Sequence, residues 1–287
     1  MSISSSVSIE KLLDLVRDAG AQIMAIYQRP FDVQHKADLS PLTAADLAAH
    51  HCLVDGLRRL TPNLPILSEE TPAAEYQQRQ SWTTYWLIDP LDGTKEFIQR
   101  NGEFTVNLAL VHQQRAVLGV VYAPALDQLY WGWLAEASDL PVLDLPASAQ
   151  RTQAFQQREG QEPEPIKVRA LPAQQTDWIV LTSRSHPSQA LQQWQTEHPA
   201  AQYQALGSSL KLCRIAAAEA DLYPRLGPTS EWDTAAAQAV LEAAGGKVVR
   251  WEDRQPLRYN QRADSLENPW FLAGGGAEFI EGECGGA

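Results

Sequence analysis

Apolar residues recur at helical spacing at Ile9, Leu12, Leu13, Val16, Ile23 and Ile26, with Ser8 placed to cap the start and Pro30 to stop the chain. This pattern predicts an amphipathic helix over residues 9–28. A second helix is predicted from about Thr43. Thr43-Ala44-Ala45-Asp46 has the form of a capping box, Leu47, Val54, Leu57 and Leu60 make the apolar stripe, and Pro62 ends it. Between Leu64 and Tyr122 the period shifts to that of strands: Ile66-Leu67, Tyr85 to Ile88, the alternation of Phe104, Val106, Leu108 and Leu110, then Val117 to Tyr122. Leu129 to Leu134 adds another, and an antiparallel meander is expected.

From Ala135 to Ala170 the chain is rich in Pro, Gln, Ala and Glu and holds no period, which predicts an irregular connection. The boundary is placed there, between an N-terminal α+β domain (1–170) and a C-terminal α/β domain (171–287). In the second part strand and helix patterns alternate: Trp178 to Leu181, a helix after Pro187, a helix from Ser208 to Glu219, Leu222-Tyr223, a helix from about Ser230 to Ala244, Val248-Val249, and Trp270 to Leu272. The Gly274 to Gly276 run reads as a flexible tail.

Composition narrows the function classes. With 44% hydrophobic and 20% charged residues in 287, the chain can bury a sizeable core, and disorder, collagen and coiled coil are excluded. Lys plus Arg number 23 against 35 Asp plus Glu, a net charge of -12. Such a surface repels nucleic acid and anionic lipid, so a phosphate-ester substrate would need local cations, bound metal ions being one source. Cys52, Cys213 and Cys284 are widely spaced and odd in number, which points to neither a disulfide framework nor a thiolate zinc site and to a cytoplasmic location. Met1 to Glu10 lacks the basic and apolar regions of an export signal, and no stretch has the apolar length of a membrane span.

The most informative run is Trp86-Leu87-Ile88-Asp89-Pro90-Leu91-Asp92-Gly93-Thr94, a buried strand that ends in two carboxylates and a glycine turn. Taken alone, it also fits an ordinary strand-to-turn junction with Asp as a cap. Glu69-Glu70 follow a second apolar strand, and Asp233 opens a helix, where Ser230-x-x-Asp233 equally satisfies a capping box. Together they place carboxylates at three chain ends, and hard oxygen ligands of this kind select Mg2+ or Mn2+. Ser208-Ser209-Leu210-Lys211 fits the S-x-x-K pattern of acyl enzymes, but the K-T-G companion is absent.

Asp46, Glu69-Glu70, Asp89-Pro90-Leu91-Asp92-Gly93-Thr94 and Trp232-Asp233-Thr234-Ala235-Ala236, in this order, resemble the lithium-sensitive, magnesium-dependent phosphatases of the inositol monophosphatase superfamily, over about residues 8–272. The resemblance implies an α/β fold, a layered αβαβα sandwich with the site between its two parts. It implies metal ligation by Glu69, Asp89, the Leu91 carbonyl, Asp92 and Asp233, for two or more Mg2+ ions with Mn2+ as a substitute, and catalytic roles for Thr94, Asp46 and Glu69. Glu70 is either a support of these ligands or an exposed carboxylate.

A narrower set is similar to the 3'(2'),5'-bisphosphate nucleotidase branch. It comprises Lys95-Glu96-Phe97-Ile98, Arg100 to Asn107, Ser183-Arg184-Ser185-His186, Gly207 to Lys211, and Leu222-Tyr223-Pro224-Arg225. This resemblance implies hydrolysis of adenosine 3',5'-bisphosphate (PAP) to AMP and phosphate, and of PAPS to APS. The substrate would be bound by Leu91, Asp92, Gly93, Thr94, His186, Ser208, Ser209, Lys211, Arg225 and Asp233. Lys211 and Arg225 would read the uncleaved phosphate, although either could be a solvated surface charge. Activity on inositol phosphates or fructose 1,6-bisphosphate, or a non-catalytic phosphometabolite sensor, are the alternatives on this scaffold. The expected partner is a small nucleotide bisphosphate rather than nucleic acid. The expected state is a monomer without membrane insertion, with peripheral inner-membrane association implied by the family alone.

Overall fold

The computed structural model describes residues 6–35, 41–146 and 151–275. The first five residues, Gly276 and Cys284 lie outside the described residues. A short strand β1 (Val7–Ser8) runs into helix α1 (Ile9–Tyr27), and strands β2 (Val33–His35) and β3 (Pro41–Thr43) lead to helix α2 (Ala44–Leu60). Strand β4 (Ile66–Ser68) and a 3-10 segment (Ala73–Ser81) precede β5 (Thr84–Asp92) and the short helix α3 (Thr94–Ile98). Then come β6 (Thr105–His112), β7 (Arg115–Ala123), β8 (Gln128–Trp133), β9 (Leu143–Asp144), β10 (Gln153–Arg158) and β11 (Glu164–Pro165). The remainder is β12 (Ile179–Ser183), α4 (Gln189–Glu197), β13 (Gln202–Leu206), α5 (Leu210–Ala216), β14 (Leu222–Arg225), α6 (Glu231–Ala243), β15 (Gly246–Arg250) and β16 (Phe271–Gly275).

Two sheets organise these elements. A seven-stranded sheet has the order β11-β10-β8-β7-β6-β5-β4, and a five-stranded sheet the order β13-β12-β14-β16-β15. Strands of the larger sheet are apolar on both sides because both faces are covered. One face meets the stripe Leu12, Val16, Ala19 and Ile23 of α1 and Ala49, Leu53 and Leu57 of α2. The other meets α5 and α6, whose far sides rest on the five-stranded sheet through Tyr223, Val248 and Phe271. Helix α4 closes the outer face with Leu191 and Trp194, the latter packed with Val180, Leu222 and Leu272. The result is the expected αβαβα sandwich.

Helix α6 is enclosed between two sheets, which explains its alanines: Ala235, Ala236, Ala237 and Ala239 are all buried, and small side chains let backbones approach. At Gly119 of β7 the approach is closest, since a Cβ there would lie 2.0 Å from the Ala236 carbonyl oxygen.

Several expectations need correction. The Ala135 to Ala170 segment is not irregular throughout: β10 continues the large sheet by pairing antiparallel with β8. Its period is hidden because the face toward α6 carries Ala154 and the polar Gln156, while Phe155 stacks on Trp131 on the other side. The meander is antiparallel from β5 to β8, but β4 joins β5 in parallel. Gly274 and Gly275 are not tail residues; they lie buried in β16 and pair with Leu222 and Gly246. The helix expected over Ser208–Glu219 is shorter, and β13, an exposed polar edge strand, gave no apolar signal. Among the described residues no helix is long and apolar enough to cross a membrane.

Gly119→Ala should force α6 off the sheet and destabilise the fold by about 1–3 kcal/mol, the usual range for overpacking. Gly227, where a Cβ would meet only Ser188 Cβ at 3.7 Å, should tolerate alanine within about 0.5 kcal/mol. Denaturant midpoints for the two variants check this; equal midpoints would contradict the contact.

Candidate active site

Residues three apart on a regular strand face opposite sides, so Asp89 and Asp92 of β5 should diverge. Pro90 prevents this. It has no N–H for the ladder, and the register with β6 slips between Asp89, opposite Asn107, and Asp92, opposite Thr105. The bulge brings the two carboxylates to one side, and the parallel pairing of β4 sets Glu69 beside them, its N–H donating to the Ile88 carbonyl at 3.2 Å. Asp233 arrives from the start of α6. One carboxylate oxygen each of Asp89, Asp92 and Asp233 lies within 4.8 Å of the others, a group able to hold a metal ion.

Each carboxylate is fixed by donors. Asp89 Oδ1 accepts from Leu91 N at 3.1 Å, while its Oδ2 is buried without a hydrogen-bond partner. Asp92 Oδ2 accepts from Ser209 N (2.6 Å) and Oγ (2.7 Å), and Asn107 Nδ2 lies 3.4 Å away. Asp233 Oδ2 accepts from Thr229 Oγ1 at 2.8 Å and Ser230 N at 2.9 Å, completing the capping box of α6. Burial pushes the Asp89 carboxyl well above the usual carboxylate range, reinforced by the charges of Glu69, Asp92 and Asp233. Asp92 is pushed up to about 6 by burial and Asp233, against the opposing pull of Lys211 and Ser209. A buried oxygen with no donor, on a carboxylate whose pKa three neighbouring carboxylates raise, fits a site for hard cations.

Beside this cluster the turn at Gly93, with φ +92°, opens helix α3. Thr94 Oγ1 donates to Asp46 Oδ1 at 3.2 Å, with the Leu91 carbonyl at 3.4 Å. Asp46 itself is held by the Thr43 N–H and hydroxyl, each at 2.7 Å, in the predicted capping box of α2.

Glu69, Asp89, Leu91, Asp92, Gly93, Thr94 and Asp233 line one part of a cavity of about 560 Å³. A second part of its wall is cationic, formed by Lys95, Lys211 and Arg225, with His186, Ser183 and Ser208 also lining it. Lys211 Nζ donates to the Leu206 and Ser208 carbonyls at 3.1 and 2.6 Å, and burial lowers its pKa to about 8 despite the nearby Asp92. The Ser208-x-x-Lys211 spacing therefore joins the amine to carbonyls, not to a nucleophilic hydroxyl. Arg225 donates through Nη2 to the Pro228 carbonyl, while its buried Nε has no partner. Lys95 Nζ lies 3.1 Å from His186 Nε2, so this ring nitrogen is the acceptor and the ring is neutral.

Of the residues singled out in the sequence, Glu69, Asp89, Leu91, Asp92, Gly93, Thr94, His186, Ser208, Lys211, Arg225 and Asp233 all line the cavity. Asp46 and Ser209 stand behind its wall, both buried, and reach it through Thr94 and Asp92. Glu70 does not line it, and its amide donates to Ser68 Oγ at 3.3 Å. Lys95, Tyr223, Thr229 and Glu267 also line the cavity and are not among the site residues expected from the sequence. Thr229 was detectable as a hydroxyl just ahead of a capping box; Glu267 had no local signal.

The sequence pattern described as the inositol monophosphatase family matches residues 6–281. The chain is 45% identical to the 3'(2'),5'-bisphosphate nucleotidase CysQ of Escherichia coli strain K12 over 266 residues, 92% of this chain and 98% of the relative. The crystal structure of CysQ from Bacteroides thetaiotaomicron superposes with a TM-score of 0.74 at 35% identity, covering 93% of this chain and 97% of the other. An inositol monophosphatase of Thermotoga maritima shares the fold at a TM-score of 0.68 and 22% identity, over 95% of this chain and 94% of the other. With the pattern spanning nearly all of the chain and the same layers present, the chain belongs to the inositol monophosphatase family.

Proposed function

We propose that the chain is a Mg2+-dependent 3'(2'),5'-bisphosphate nucleotidase that hydrolyses adenosine 3',5'-bisphosphate to AMP and phosphate, with the 3'-phosphate of the related sulfonucleotide PAPS as a second target. The observation that carries this reading is the lining of the cavity, which holds both the carboxylate cluster and three basic side chains. A monophosphate needs only the carboxylate wall, whereas a second phosphate gives Lys95, Lys211 and Arg225 a counter-charge. Fructose 1,6-bisphosphate would satisfy the same charges, and the nucleotide is favoured by the 45% identical relative.

In this reading Glu69, Asp89, the Leu91 carbonyl, Asp92 and Asp233 would hold the metal ions, which when bound would supply positive charge to the phosphoryl oxygens and acidify water. Thr94 Oγ1, oriented by Asp46, accepts or relays the proton of the attacking water. The water oxygen forms a new bond to phosphorus as the P–O bond to the ribose breaks, and the departing 3'-oxygen takes up a proton from solvent, balancing the one the attacking water gives up. Ser209 and Asn107 keep Asp92 in one orientation, so that no rearrangement is needed as charge develops. Arg225, with an unused buried Nε–H, and Lys211, with one N–H left after its two carbonyl contacts, recognise the phosphate that stays.

Phosphate release should show a higher kcat/KM for adenosine 3',5'-bisphosphate than for inositol 1-phosphate or fructose 1,6-bisphosphate; the reverse order for either sugar would overturn the substrate assignment. Chelation should abolish turnover, and Asp92→Asn should lower kcat/KM by at least about 100-fold while the circular dichroism stays native. Turnover undiminished in chelator would refute the metal reading. Arg225→Ala should cost about 10- to 100-fold on the bisphosphate, the worth of one charge-assisted contact, and much less on 3'-AMP. Equal losses on both would show that Arg225 does not read the second phosphate.

A further inference from the structure

The turn Gly207–Ser208–Ser209 positions three groups of the site: Ser208 on the cavity surface, Ser209 on Asp92, and Lys211 two residues beyond. Its backbone is not relaxed. Ser208 has φ +48°, a left-handed conformation that a serine keeps only when its surroundings hold it. Gly207 leaves no room for movement, since a Cβ there would lie 2.6 Å from Glu96 Cγ and 2.7 Å from the Glu103 carbonyl oxygen.

What holds the turn comes from the other half of the chain. Glu103, in the connection between α3 and β6, accepts the Gly207 N–H through Oε2 at 2.7 Å. Arg184, just past β12, grips the same carboxylate with both arms of its fork, Nε to Oε2 at 2.8 Å and Nη2 to Oε1 at 2.7 Å. Nη2 also donates to the Ala205 carbonyl at 2.7 Å, and the Glu103 N–H is tied to Asn101 Oδ1 at 2.9 Å. A parallel contact lies next door, where the Ser185 hydroxyl donates to the buried Glu96. The Glu103 side chain is 17% exposed and that of Arg184 40% exposed, so the pair alone would contribute little as a surface salt bridge. Its geometry has another use: the fork fixes the rotamer of a carboxylate whose remaining task is a backbone amide in the strained turn.

We propose that Glu103, oriented by Arg184, is a positioning residue for the cationic wall. It locks the Gly207–Lys211 turn so that Ser208 and Lys211 are set for the second phosphate before the ligand arrives. This deepens, and rests on, the bisphosphate reading above. A preset wall lowers the ordering cost of binding, while Ser209 keeps its place on Asp92 through its own contacts to the Asn107 amide and the Asp233 carbonyl, so the loss falls on KM more than on kcat.

Two measurements on the full chain test it. Without any substrate, hydrogen exchange followed by mass spectrometry should show the peptide covering residues 207–211 exchanging about tenfold faster in Glu103→Ala, with strands β5 to β8 unchanged. In steady-state kinetics the same variant should raise KM for adenosine 3',5'-bisphosphate about tenfold with kcat within about threefold. Glu103→Gln, which retains an acceptor for Gly207, should restore most of both effects, and Arg184→Ala should fall between. Unchanged exchange at 207–211 in Glu103→Ala overturns the proposal, as does a loss in kcat alone. If Glu103→Ala does not fold, Arg184→Ala decides by the same two criteria. A wild-type chain inactive on the bisphosphate refutes the substrate reading, and the exchange arm then still judges the lock.

Discussion

Mutual repulsion of carboxylates in a place with little water is the constraint around which this molecule is arranged. Asp89 is 1% exposed, and Glu69, Asp92 and Asp233 all raise its pKa further. Removing such charges from water costs several kcal/mol per ion unless opposite charge or hydrogen bonds replace the solvent. Donors from three separate segments supply part of that replacement: the Leu91 N–H, both donors of Ser209, and the Thr229 hydroxyl with the neighbouring Ser230 N–H. Lys211 and Arg225, which line the same cavity, supply opposite charge, each acting on Asp233. The bare oxygen of Asp89 remains, and a bound cation is the chemical answer to it.

The layers of the fold follow from the need to bring these groups together. Asp89 and Asp92 leave the end of a strand buried on both faces, Glu69 follows its parallel neighbour, and Asp233 begins a helix enclosed between the two sheets. No single local stretch could assemble the site. Its precision depends on how closely α6 sits on β7, which Gly119 permits.

The sequence made the two ends of this hierarchy legible and left the middle obscure. Helices α1 and α2, with Val16 and Leu57 on their buried stripes, were readable because one face of each meets the sheet. The carboxylate set was readable because Asp89-Pro90-Leu91-Asp92-Gly93-Thr94 is chemically unusual at a strand end. Strand β10 was not, because its inward residues are Ala154 and Gln156, and β13 was not, because an exposed edge needs no apolar alternation. The role of Ser209 behind the wall could not be seen either, and that of Asp46 followed from the family resemblance rather than from its capping-box pattern. A hydroxyl or a capping carboxylate looks the same in sequence whether it faces ligand or another side chain.

That ambiguity has a physical origin, visible in the two helix starts that serve the site. Asp46 and Asp233 both occupy the third position of a helix and close capping boxes with Thr43 and Ser230. In each, Oδ2 is spent on the cap, and in Asp46 the remaining Oδ1 receives the Thr94 hydroxyl. A helix N-terminus also favours a carboxylate electrostatically, which helps keep a negative group where burial and like charges oppose it. The cap fixes the side chain's rotamer through one oxygen and thereby aims the other. The residue that begins the helix and the residue that serves the site are therefore the same, and truncating either Asp removes both functions at once. Asparagine, which can still accept from the cap, separates them: what it loses beyond the cap is the negative charge that the site uses.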